Sequence, residues 1–276
     1  MLNPDDAQLL QTDINNVVDW FNTNLLSINV PKCKIVSFGR NVDKSQIYYI
    51  NGIQIEREEI IKDLGVYFDS RLTFDAHIND KINKAYSILG IIKRNFNSLS
   101  HEAFLSMYKA LVRSHLEYAV QVWNPYKKEY IEKLERVQLR VSKLQSDIKS
   151  LPYRERLIRL GLPTLKYRRI RGDIIELYKI IKEHYDSDTV VKITYAPYAS
   201  TRGNNFKLFS QHSTYELRKH CFINRVTNVW NSIPNYAINA PSLNVFKNRL
   251  DNFWSNQDII YDWKADLTGT GSRSFE

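Results

Sequence analysis

Two amphipathic helices joined at Asn124-Pro125 constrain this chain more than any other stretch. The run from Ser100 to Leu144 reads SHEAFLSMYKALVRSHLEYAVQVWNPYKKEYIEKLERVQLRVSKL. In its first half Phe104, Tyr108, Leu111, His115, Ala119 and Val122 recur at three- and four-residue steps, which predicts one buried helical face. Asn124 ends that helix, because Pro125 disfavours the α conformation in the residue before it and has no N–H to donate. In the second half Leu134, Val137, Val141 and Leu144 keep helical spacing, and Lys133, Arg136, Arg140 and Lys143 each stand one residue earlier. One residue is about 100° of rotation, so a basic stripe flanks the apolar one.

The same stretch carries a resemblance. LVRSHLEYAVQVWNPY followed by IEKLERVQLRVSK resembles the region after the polymerase palm in non-LTR (LINE-type) retrotransposon reverse transcriptases, most like the CR1 and jockey groups. The residues that carry it are Leu111, Val112, Arg113, His115, Leu116, Glu117, Tyr118, Trp123, Asn124, Pro125, Leu134, Glu135, Val137 and Gln138. Ser114 stands where that family usually has proline, which softens a kink. The resemblance runs from about Leu9 to Trp254.

The charge is concentrated. Between Lys133 and Arg171 there are 12 Lys/Arg against Glu135, Asp147 and Glu155, which accounts for the whole net charge of +9. Segregation on this scale points to a polyanionic partner; the alternative is a solvated helix face. With 43% apolar and 12% aromatic residues the chain is built to fold, and its 276 residues suffice for one large or two small domains. No apolar run approaches the roughly 20 residues that span a bilayer, and Met1 is not followed by a basic segment and apolar core. Cys33 and Cys221 give neither a disulfide framework nor a CxxC pair. A cytoplasmic or nuclear location without membrane contact is therefore expected.

From the start, Pro4 to Phe21 reads as a helix, with Leu9, Leu10, Ile14, Val17, Val18 and Phe21 at helical spacing and Asp5 or Asp6 as its cap. A reverse transcriptase polymerises with a carboxylate pair in a Tyr/Phe-x-Asp-Asp hairpin that holds two Mg²⁺ ions. Asp5-Asp6 follows Asn3-Pro4, with no aromatic residue and no strand before it, so it is read as a cap. The expectation is a chain with no catalytic residues, no metal site and no cofactor of its own, Mg²⁺ belonging to the parent enzyme only.

From Lys32 to Phe68 the period becomes two: residues 34–38, 46–50, 53–55 and 64–68 read as strands, with Asn51-Gly52 as a type I′ hairpin turn. Tyr48 and Tyr49 point to opposite faces, so one is exposed. Cys33 reads as a small buried residue. Asn29 to Gly39 resembles the family's last palm motif, and Lys62-Asp-Leu-Gly-Val66 its strand near the primer grip. Lys62, Leu64 and Gly65 are thus primer-grip-like; Gly65 serves either close primer approach or a strand bulge.

Ile78 to Ile92 forms a first thumb-like helix, buried through Ile78, Ile82, Ala85, Leu89 and Ile92. Pro152 opens and Gly161 closes a short helix, and Thr164 caps the next, in which Ile170, Ile174, Leu177, Tyr178 and Ile181 repeat. Arg168, Arg169 and Arg171 either bind phosphates as bidentate forks or pair with neighbours such as Glu155, Asp173 and Glu176. Further on, Phe222, Val226, Val229 and Trp230, then Leu243, Phe246, Leu250 and Phe253, form two stripes interrupted at Ile233-Pro234. Thr201-Arg-Gly203 and Trp230 to Pro234 match the family's C-terminal region, whereas His220-Cys221 falls short of a four-ligand zinc site.

The expected fold is α+β and mostly α. Its parts are a palm-like end at 1–75, a helical thumb-like domain at 76–185, a linker at 186–205, a C-terminal helical region at 206–258 and a disordered tail at 259–276, Gly/Ser/Thr-rich from Thr268. The resemblance implies a fragment of an RNA-directed DNA polymerase. It would hold an RNA–DNA hybrid or other nucleic acid by its phosphates through Lys133, Arg136, Arg140, Lys143, Arg168, Arg169 and Arg171. The missing polymerase half is a second expected partner. The alternative is a non-catalytic helical protein-interaction module derived from a retroelement.

Overall fold

A computed structural model describes residues 4–96, 100–196 and 206–270, without the side chains of Pro4 and Asp5. The chain divides into two compact units, Met1–His77 and Ile78–Glu276.

The first unit opens with helix α1 (Pro4–Thr23). Because the helix starts at Pro4, Asp6 lies in its first turn and not at its cap. Of the expected stripe only Val18 is buried; Leu9, Leu10 and Val17 are exposed. Six short strands follow: β1 (Lys34–Ile35), β2 (Tyr49–Ile50), β3 (Ile53–Gln54), β4 (Glu56–Arg57), β5 (Ile60–Asp63) and β6 (Val66–Asp69). They pair as β1 with β4 in parallel, and as two antiparallel hairpins, β2 with β3 and β5 with β6. Asn51 and Gly52 have φ of +51° and +75°, the left-handed pair of the expected type I′ turn.

The strands at 34–38 and 46–50 are shorter than alternation suggests, and the one at 64–68 is wrongly framed. Leu64 and Gly65, at φ +43° and +84°, are a second two-residue turn between Asp63 and Val66. Gly65 is therefore neither a bulge nor mid-strand. Val18, Tyr48, Ile50 and Ile55 make a small core, with the half-buried Cys33 packed on it, and Tyr49 is exposed as its alternation with Tyr48 requires. Asp69 then organises the exit from β6: its carboxylate accepts the amides of Arg71, Thr73 and Phe74 at 3.0, 3.1 and 2.7 Å.

The second unit is helical. Helix α2 (Asp75–Asn95) buries Ile78, Ile82, Ala85, Leu89 and Ile92, as its periodicity requires. Helix α3 (His101–Met107), capped by Ser100, runs into a π-helical segment, Tyr108–Arg113. Helix α4 (Ser114–Glu117) follows, then a break at Tyr118-Ala119, where Ala119 has φ +52°, and α5 (Val120–Trp123). This corrects the face expected there. Phe104, Tyr108, Val112, Leu116, Val120 and Trp123 are buried, while Leu111 and Val122 are exposed. A π turn closes over five residues where an α turn closes over four, so each buried position after Tyr108 comes later than α spacing places it.

Helix α6 (Lys128–Ser142) buries Leu134, Val137 and Val141. Helix α7 (Tyr153–Leu160) is flanked by Pro152 and by the left-handed Gly161, and α8 (Leu165–Ile181) is capped by the Thr164 hydroxyl, which accepts the Tyr167 amide at 3.1 Å. A short helix α9 (Glu216–Lys219), α10 (Phe222–Asn231), α11 (Asn235–Ile238) and α12 (Leu243–Phe253) complete the unit. Tyr178 stacks on Phe246 in a core that joins α8, α10 and α12 through Ile174, Leu177, Trp230 and Leu250.

Part of the expected linker belongs to this core: Ile193 packs on it, and Tyr195 pairs with the buried Leu208. The Thr201 to Gly203 match lies outside the described residues. The expected disordered tail begins too early. Ile259 is wholly buried, and Ala265 and Leu267 pack on the same core. That segment is tied to the N-terminus of α8: the Thr164 amide donates to Ile260 O at 2.7 Å, its hydroxyl to Ile259 O at 2.6 Å, and Lys166 Nζ to Ala265 O at 2.7 Å. An apolar anchor every few residues holds it despite its polar composition. Residues 271–276 lie outside the described part.

Candidate nucleic-acid interface

Helix α6 has three sides, each with a different fate. The apolar side is buried, with Leu134, Val137 and Val141 at 0% exposure. A second side carries Glu135, Gln138 and Ser142, polar residues that are equally buried and fully engaged. Tyr108 donates its hydroxyl to Gln138 Oε1 at 2.6 Å, and Gln138 Nε2 donates to Pro163 O at 3.0 Å. Glu135 accepts the Tyr153 hydroxyl at 2.8 Å and the Leu165 amide at 3.0 Å. A carboxylate from α6 thus closes the first turn of α8, where N–H groups have no helical partner and the helix dipole favours negative charge. Burial pushes the Glu135 carboxyl above its usual range, against the pull of these donors and of nearby Arg169. Ser142 Oγ accepts Arg156 Nε at 3.0 Å.

The third side is the basic row, and it faces outward. Arg136, Arg140 and Lys143 are exposed, and Lys133 is about a third exposed, with its ammonium 5.0 Å from the Tyr130 ring centroid. The expectation that the apolar side docks and leaves the cations outside describes this helix. Arg136 reaches Glu132 at 2.7 Å and Lys133 pairs with Glu129, both surface pairs that contribute only about 0–1 kcal/mol. Glu135, the residue before Arg136, is turned inward. Arg140 lies over the Tyr86 ring of α2 at 4.7 Å. Nearby on α2, Lys81 and Lys84 join burial in disfavouring charge on His115. From Lys133 to Lys143, ten residues at 1.5 Å give a row about 15 Å long.

Arg168, Arg169 and Arg171 do not join that row. The Arg168 fork grips Glu117, one arm at 2.8 Å, and the Arg171 fork grips Asp251 at 2.5 and 2.7 Å. Arg169 is 3% exposed among the carboxylates of Glu135, Asp173 and Glu117. Asp173 is itself held by the Arg225 fork at 2.8 and 2.9 Å and by Asn124 at 2.9 Å. With Arg225 these arginines fasten α8 to α4, α10 and α12, so the acidic-partner alternative describes them: the expected Asp173 flanks Arg169, while Glu117 and Asp251 were not among the acids expected. Of the expected acids Glu176 meets Lys179 instead. Glu117 and Asp251 are 51 and 80 residues away in sequence, beyond reach of local spacing. Glu135, Gln138 and Ser142 did leave a signal: polar residues at three- and four-residue steps beside an apolar stripe, opposite the cations.

Lys62, Leu64 and Gly65 stand together at one end of the β5–β6 hairpin, Leu64 84% exposed at the tip and Lys62 lying 5.1 Å from the Tyr67 ring centroid. His220 stacks on Tyr126 and meets Glu216 at 3.1 Å, while Cys221 is exposed. Among the described residues no three of His, Cys, Asp and Glu converge as a metal ion would require. No helix among them is long and apolar enough to cross a membrane.

No family model matches the chain, and no solved structure matches it. Among curated proteins it is similar to the probable RNA-directed DNA polymerase from transposon X-element of Drosophila melanogaster, 27% identical over 147 residues. It is similar also to the RNA-directed DNA polymerases from mobile element jockey of Drosophila funebris, 28% identical over 183 residues, and of Drosophila melanogaster, 26% identical over 129. The matched stretches are 51%, 64% and 45% of this chain but 16%, 19% and 14% of those relatives, so it spans less than a fifth of each. Over about half of its length, the chain is similar to part of a non-LTR retrotransposon reverse transcriptase.

Proposed function

We propose that this chain is a fragment of a retrotransposon RNA-directed DNA polymerase that holds template–primer duplex through phosphates along α6. The observation that carries the reading is the outward row of Lys133, Arg136, Arg140 and Lys143 on a helix whose other two sides are buried. A rigidly seated row about 15 Å long can follow several successive phosphates, giving grip without sequence information. In this reading residues 1–75 are the end of a palm, 76–185 a thumb, and Lys62, Leu64 and Gly65 the side nearer the primer. Arg168, Arg169 and Arg171 hold the thumb together and stand outside the interface.

The test replaces Arg136, Arg140 and Lys143 with Gln. Thermal stability should be nearly unchanged, because no buried partner is lost. Affinity for RNA–DNA hybrid should fall, with the dependence of log Kd on log salt shallower by about two to three units. Unchanged binding and slope in a folded variant would reduce the row to a solvated face.

The exposed apolar residues of α1, Leu9 at 61%, Val17 at 52% and Trp20 at 58%, favour a second reading in which the chain also docks a protein partner such as the remainder of a polymerase. Salt separates the two readings, since releasing counterions from phosphates gives a steep dependence that apolar docking lacks.

A further inference from the structure

At the end of the β5–β6 hairpin away from Leu64, roughly 10 Å along the strands, the first unit holds a cleft of about 540 Å³. Arg40, Lys44, Glu59, Ser70 and Arg71 line it, three cations against one carboxylate. Its walls are fixed by hydrogen bonds from backbone amides. Gly39 N donates to Ser70 O at 3.0 Å, Ser70 N to Glu59 O at 2.9 Å, and Arg71 N to the Asp69 carboxylate at 3.0 Å. Lys44 is engaged by Glu59. The Arg40 and Arg71 guanidiniums, both exposed, make no ion pair or hydrogen bond among the described residues.

We propose that this cleft is a phosphate-binding site, with the Arg40 and Arg71 forks gripping the oxygens of a phosphate mono- or diester. Guanidinium forks match that geometry in a bidentate way, and the volume accommodates one nucleotide. The Ser70 hydroxyl, like Lys44, is turned to Glu59. Glu59 opposes the anion and holds back Lys44, so the site is poised below its full strength. None of these residues belongs to the α6 row or to the hairpin tip.

The experiment uses the full chain with Arg136, Arg140 and Lys143 already changed to Gln, so that failure of the row and failure of the cleft are read separately. Inorganic phosphate and adenosine monophosphate are titrated at constant ionic strength against chloride while arginine Nε–Hε resonances are followed. A labelled RNA–DNA hybrid is titrated by fluorescence anisotropy. Two arginine resonances should shift saturably in the millimolar range with phosphate and not with chloride, and both should vanish in R40Q/R71Q. E59Q should tighten phosphate on the order of fivefold, the effect of removing one like charge about 4 Å away in water. Loss of hybrid affinity in R40Q/R71Q, with a salt slope shallower by about one to two units, identifies a nucleic-acid phosphodiester as the ligand. Phosphate and adenosine monophosphate responses with unchanged hybrid binding identify a free phosphate or nucleotide. Resonances that move equally with chloride, together with hybrid affinity indifferent to R40Q/R71Q, overturn the site.

Discussion

The carboxylate of Glu135 accepts the backbone N–H of Leu165 at 3.0 Å, so a side chain from the middle of α6 terminates a different helix. Replacing it with alanine would strand the Leu165 amide and the Tyr153 hydroxyl and leave Arg169 short of one of its carboxylates. An unsatisfied buried polar group costs about 1–3 kcal/mol, and a broken buried charge pair about 3–5 kcal/mol. Glu135→Ala should therefore lower unfolding free energy by about 3–5 kcal/mol in urea. Glu135→Gln, which keeps an acceptor for Leu165, should lose less than half as much. Equal losses in the two variants would show that Glu135 acts by filling space and not by accepting hydrogen bonds.

The same group sets a pH dependence. Burial raises the Glu135 carboxyl pKa in the folded state, so folding favours its protonated form. Its contribution is most favourable below the unfolded value, roughly 4.3, and is lost as pH rises through the raised folded value. The stability of the parent relative to Glu135→Gln should thus decline with rising pH across that window, by no more than about 1.4 kcal/mol per pH unit. Urea unfolding of both proteins from pH 4 to 8 measures the difference directly, and a difference that grows with pH would contradict the assignment.

Gly90 lies inside α2, and a Cβ built there meets nothing within 4 Å. Gly90→Ala should stabilise the protein by about 0.5–1 kcal/mol, the helix-propensity difference, without altering nucleic-acid binding. A destabilised variant would show that the open side of α2 is covered in solution.

Leu64 holds a left-handed conformation that costs a residue with a Cβ about 1–2 kcal/mol, while 84% exposure leaves its side chain little packing to repay it. Leu64→Asn should make the β5–β6 turn more stable and slow amide exchange in residues 60–69, because asparagine tolerates that conformation and Asn-Gly favours type I′. Weaker hybrid binding alongside slower exchange would mark Leu64 as kept for contact at the expense of stability.

What could be read in advance follows the regularity of the backbone. Ile78, Ile82, Ala85, Leu89 and Ile92 were legible because α2 is an uninterrupted α-helix, and the row on α6 for the same reason. The face through Leu111 and Val122 was not, because the π segment at Tyr108–Arg113 re-phases everything after it without a residue type to announce it. The Asn51-Gly52 hairpin was visible in its residues, whereas Leu64 disguised an identical turn. The roles of Arg168 and Arg171 depended on Glu117 and Asp251, which only the fold brings near.

The bonds from Thr164 to Ile259 and Ile260 join residues about a hundred positions apart in the order of synthesis. As the chain leaves the ribosome, α8 has its sequence complete long before the carbonyls that anchor its first turn exist. With Ile259, Phe246 and Leu250 also still to be made, α8 must wait with its apolar side open. At about 5–20 residues per second this exposure lasts roughly 5–20 s, a window in which nascent chains are open to chaperones and to one another.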